Sequence, residues 1–258
     1  MTNKKFLSSK PIFPSDNGEI IDWIERSAIK LQFTAISQHV DFVNASIKEE
    51  QKELESMARN FVETLDDCDE NEKNSIYYSF INGGSSSFNY QYSAINSFPQ
   101  IQWRSEFLVI YSYFEHTLNQ LCCEVQRKSN FKLLLKDIHG QGIERARTYL
   151  VKLANVEEPF NTKNWQRAKF LSKIRNEIAH NNSVIEYKID EPKTLSAKLQ
   201  NEPHIELENV FPNKEDAEIM LSYEFLKQSV IELQNFLLEI SNYPLYSDNI
   251  KNKHNEQG

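Results

Sequence analysis

Apolar residues recur in this chain at three- and four-residue steps over stretches far longer than a β-strand, and only an α-helix turns that spacing into one continuous face. The first stretch begins at Glu19, after Asp16 or Asn17 as a cap, and runs through Ile20, Ile24, Leu31, Ala35, Ile36, Val40, Val43 and Ile47. With a break allowed near Ser46, it continues through Leu54, Met57, Phe61 and Leu65. A second stretch starts near Gln102 and carries Phe107, Leu108, Tyr111, Phe114, Leu118, Leu121, Cys122 and Val125. A third turns Ala146, Leu150 and Leu153 inward between Ile143 and Leu153. A fourth, from about Lys163 to His180, sets Arg167, Phe170, Leu171, Ile174 and Ile178 along one side. Thr162 or Asn161 caps its start, and Asn181-Asn182 suits its end because Asn tolerates the left-handed conformation found there. The last is expected to span Asp216 to Ile240 through Ile219, Phe225, Leu226, Val230, Leu233 and Leu237. His204 to Phe211 alternates weakly and reads as a strand or an extended loop.

Helices so spaced form a bundle. Six Gly and eight Pro in 258 residues are too few for a turn-rich β fold, and sixteen Phe with eleven Tyr supply a core that a disordered chain lacks. The expected fold is therefore all-α. A loop at Gly83 to Ser87 sets the boundary between a helical N-terminal extension, 1–99, and a helical bundle, 100–245, followed by a polar tail, 246–258. The stripe from Ile20 to Ile47 is too long to stay exposed and should pack on the bundle or on a second protomer.

Several functions lose support. No run approaches the roughly 18 apolar residues of a membrane span, and Met1 to Lys10 leads into no sustained apolar stretch, so a cytoplasmic protein without a membrane is expected. Cys68, Cys122 and Cys123 make neither a disulfide framework nor a CxxC pair, and the histidines lack ligand spacing, so neither metal nor cofactor is expected. The phosphate-cradling GxxxxGK[ST] and GxGxxG and the hydrolytic HExxH and GxSxG do not occur. The formal charge of -8 argues against nucleic acid until its distribution is considered. Between Arg127 and Arg175 twelve Lys or Arg face four acids, a local +8 that leaves the remainder at -16. Such a segment is either a solvated face pairing with the acidic parts or a phosphate-binding surface.

One motif carries chemistry: Lys173-Ile174-Arg175-Asn176-Glu177-Ile178-Ala179-His180. On a helical wheel Ile174, Ile178 and Leu171 take one side, while Ser172, Arg175, Asn176 and His180 take the other with Lys169 and Lys173 beside them. Arg175 and His180 lie about 140° apart around the axis, so convergence needs a groove or a second subunit. The stretch resembles the R-x4-H signature of the HEPN superfamily, helical domains that are often metal-independent ribonucleases. Arg175, the polar Asn176 that commonly follows it, three spacers and His180 make the match. The architectural likeness covers roughly Gln102 to Tyr243.

The resemblance implies a homodimer whose paired signature helices line one cleft. His180 would act in proton transfer, Arg175 would hold the scissile phosphate, and Asn176 would orient either. Glu115 and His116, from the preceding long helix, are candidate supports, and Lys169, Lys173 and Arg167 are candidate RNA contacts. The chemistry fits: strand cleavage needs a base for the 2′-OH, an acid for the leaving oxygen and cations for the phosphorane, and His and Arg supply these near neutral pH. By the same resemblance the chain is a toxin or an anti-phage abortive-infection effector, with RNA as substrate and an antitoxin or regulatory protein as partner. Asn182 stands where HEPN toxins paired with nucleotidyltransferase antitoxins carry a modifiable tyrosine, so that regulation is not expected. The competing class is a non-catalytic HEPN-like module that binds nucleotide or protein through the same helix face.

Overall fold

In a computed structural model, residues 17–81, 89–129, 131–210 and 215–242 are described. The loop at Gly83 to Ser87 and the tail at 246–258 lie outside them. The fold is mostly helical: α1 is Asn17–Glu63, α2 Glu70–Ile81, α3 Asn89–Ser129, α4 Gly142–Ala154, α5 Lys163–Asn181, α6 Leu195–Leu199 and α7 Tyr223–Asn242. Three short strands, β1 Val184–Glu186, β2 Ile205–Asn209 and β3 Asp216–Leu221, form an antiparallel sheet in the order β1-β3-β2. The expectation of an all-α chain is corrected by that sheet.

The long helices share one core. α7 packs on α1, α3 and α5, and α3 also packs on α4 and α5. Its centre is a set of tilted and edge-to-face rings: Phe236 lies 5.2 Å from Trp165, 5.7 Å from Phe160 and 6.1 Å from Phe114, centroid to centroid. These distances suit aromatic pairs, which avoid a face-to-face sandwich. The stripe of α1 does pack inward, through Ile29, Phe33, Ile36, Val40, Val43 and Ile47. Leu31, Met57 and Phe61, expected on that stripe, are exposed instead. Leu31 lies two residues from both Ile29 and Phe33, about 200° around the helix from each, so a stripe centred on those two turns it outward. Two boundaries also differ: α1 runs unbroken past Ser46, and α3 begins at Asn89, carrying Pro99 inside it rather than starting near Gln102.

The long helix expected from Asp216 is a strand up to Leu221. Ala217, Ile219 and Leu221 are buried and alternate with half-buried Asp216, Glu218 and Met220, the period of two that belongs to a sheet. The six-residue gap from Ile219 to Phe225 breaks the helical spacing. Ser222 then accepts the N–H of Phe225 at 3.2 Å and caps α7. β1 covers only residues 216–218 of β3. Beyond it, Ile219 N–H donates to Ser183 O at 2.9 Å, Arg104 donates to Ile219 O at 3.1 Å, and the Gln100 amide both donates to and accepts from the Leu221 backbone. Side chains of α3 thus complete the ladder where β1 stops.

Candidate functional site

The signature lies on α5, and its two ends are built differently. At the start, Thr162 Oγ1 accepts the Trp165 N–H, while Asn164 donates to Glu239 of α7 at 2.8 Å. Trp165, Ala168, Leu171, Ile174 and Ile178 are buried, so one face of the helix is committed to the core. At the far end Asn182 and Ser183 both take the left-handed conformation, with φ of 49° and 68°, and both N–H groups reach the Glu177 carbonyl. That turn delivers the chain directly into β1.

The polar face separates into committed and uncommitted groups. Arg167 is committed: Nε donates to Glu232 at 2.6 Å, Nη2 pairs with Glu202, and the guanidinium lies 5.2 Å from the Phe170 ring centre. Those carboxylates hold its charge above the usual arginine value against the opposing effect of burial. A guanidinium so occupied has little left for RNA. Arg167→Ala should cost about 1–3 kcal/mol in urea denaturation, below the 3–5 of a fully buried pair because this one is partly exposed. Lys169 sits 3.6 Å from Glu144, a loose pairing on the surface.

Lys173, Asn176 and His180 are exposed and Arg175 is half-buried. Among the described residues the one side-chain hydrogen bond of Arg175 runs from Nη1 to Asn176 Oδ1, at 3.2 Å. Among the described residues no carboxylate pairs with Lys173 or Arg175, and His180 has no hydrogen-bonding partner. Arg175 and His180 do not bond each other. Within one protomer, therefore, the structure joins Arg175 to Asn176 and leaves His180 apart.

Glu115 and His116 part company. His116 is exposed, whereas Glu115 is half-buried, its Oε1 3.7 Å from where a Cβ on Gly142 would stand. Gly142 has φ +53°, so a side chain there would be strained in any case. Tyr111 of α3, part of the buried core, feels the charges of both Glu115 and Arg175. Burial chiefly pushes its phenol up; Ser172 and the Arg175 charge pull it back, and Glu115 and Glu144 add to the rise. The i, i+4 spacing of Tyr111 and Glu115, and the i, i+3 spacing of Ser172 and Arg175, are the signals that group them. Ser172 acts on the phenol, yet Tyr111 Oη has no hydrogen-bond partner among the described residues. Tyr111→Phe should therefore stabilise the fold by about 1 kcal/mol, since an unpaired buried hydroxyl carries a desolvation cost. A fall in urea midpoint would show that the hydroxyl is bonded.

Family models, curated proteins and solved structures give no match to this chain. The site's chemistry must be read from its own residues. Among the described residues no three His, Cys, Asp or Glu side chains gather as a metal ligand set would, and no helix is long and apolar enough to cross a membrane.

Proposed function

We propose that the chain is a HEPN-type, metal-independent endoribonuclease that works as a homodimer, with Arg175, Asn176 and His180 of each protomer in a shared cleft. The observation that carries this reading is the uncommitted state of Arg175. Arg104, Arg127 and Arg167 each bind a carboxylate, while half-buried Arg175 bonds a neutral amide and pairs with no carboxylate among the described residues. A guanidinium left so is available to a phosphate, which it binds through two parallel donors. His180, one and a half turns on, is the imidazole that moves the proton in this reading. Lys173 adds positive charge on the approach, and Lys169 does so once its loose pairing with Glu144 opens.

An exposed stripe on α3 supports the dimer in this reading. On α3, Phe98, Ile101, Val109 and Tyr113 are exposed at helical spacing with Ser105 and Ser112 among them, a stripe one helix flank away from Glu115. An apolar stripe beside a half-site suits a symmetric contact that brings two signature helices together. The reading is tested by incubating the purified protein with total RNA in excess EDTA and measuring its mass by light scattering. RNA loss by a dimer supports it. Binding of RNA without loss supports the non-catalytic module, and an active monomer at micromolar concentration removes the composite site.

A further inference from the structure

The sheet carries a second surface, unrelated to the signature. Val210 N–H donates to Asp216 O at 3.1 Å, which fixes 206, 208 and 210 as the residues of β2 that bond to β3. The N–H and C=O groups of Ile205, Leu207 and Asn209 then point away from the sheet, and no strand pairs with them among the described residues. An open edge of this kind is a template for one more strand. The corresponding edge of β3 is closed by Gln100, Arg104 and Ser183, so the open edge of β2 is not a general looseness of the sheet.

Beside the edge runs a groove of about 750 Å³ between β2, β3, α1 and the first part of α3. Glu206, Glu208 and Glu224 line it against the single lysine Lys48 of α1, and none of the three carboxylates has a cation partner among the described residues. An open strand edge beside carboxylates that lack cation partners offers an added segment both backbone bonds and opposite charge.

We infer that the free edge of β2 and the adjoining groove bind an extended protein segment with alternating apolar and cationic residues, added as a fourth strand. The alternation follows from the pleat. Residues of an added strand that share a face with Glu206 and Glu208 meet carboxylates, and the intervening ones share the face of Ile205 and Leu207. RNA does not fit, because its phosphates would meet the same three carboxylates.

The test uses the full chain and a short fluorescent peptide of alternating valine and lysine, read by anisotropy at physiological salt. A valine-glutamate peptide and a valine-lysine peptide N-methylated at alternate backbone nitrogens serve as controls. The lysine peptide should bind at least about 10-fold more tightly than either control, and Glu206→Lys with Glu208→Lys should reverse the charge preference. Both glutamates are exposed, so the variant keeps its fold. Equal binding of the N-methylated peptide would reduce the site to bulk charge and overturn strand addition. Absence of binding, or a preference unchanged in the double variant, overturns the site altogether. Neither result depends on whether the chain cleaves RNA.

Discussion

In His180→Ala, RNA cleavage is expected to fall by about 10²-fold or more, the scale of losing a proton-transfer group, while RNA binding changes little. The expectation separates two roles on one helix. Arg175→Lys retains a positive charge but loses the planar fork, so binding should survive at low salt while the rate falls, since one ammonium does not reproduce two directed bonds to a phosphate. Both variants should stay folded: His180 is exposed, the Arg175 side chain makes one hydrogen bond among the described residues, and neither contributes to the buried stripe of α5. Single-turnover cleavage, anisotropy with labelled RNA and circular dichroism check the three parts. Loss of helical signal in either variant would make the pair a structural element and remove the basis of the ribonuclease reading.

Phe236→Ala should have the largest effect on stability, about 3–5 kcal/mol in urea denaturation. The ring is wholly buried and touches Trp165 of α5, Phe114 of α3 and Phe160 of the turn before α5. Removing it opens a cavity where three elements meet, with large rings on every side that are too bulky to collapse into it. Phe236→Leu, which keeps more of the volume, should cost clearly less. An alanine variant within 1 kcal/mol of the parent would show that the rings do not form one packed unit.

The helices were legible because their evidence is periodic and local. Thr162 at the start of α5 and Asn182 at its end stand where capping chemistry puts them. The sheet was less so, for a physical reason. Ile219 taken alone fits a helix face as well as a strand face, and pairing with β2, whose own alternation is weak, decides for the strand. Leu31 and Phe33 show the same limit within a helix: both fit a stripe, and packing against α3 and α7 selects Phe33. For the candidate site, Arg175, Asn176 and His180 were readable as a spacing. Which of the neighbouring cations remain available was not, because the acids that occupy Arg167 come from residues 202 and 232. Tyr111 joined the site only through the approach of α3 to α5, a tertiary fact that one helix alone does not encode.

The turn after α5 has a consequence for how quickly the end of that helix opens. Helix termini ordinarily fray, and a group in the last turn then samples many positions. Here Ser183 is fully buried and its carbonyl holds the Ile219 amide, so unwinding the last turn would also pull on the sheet. Amide hydrogen exchange at Asn182, Ser183 and Ile219 should accordingly resemble the core rather than a helix end. His180 is presented from backbone already ordered in the free protein, and little conformational entropy at that point is left to be lost when a ligand arrives.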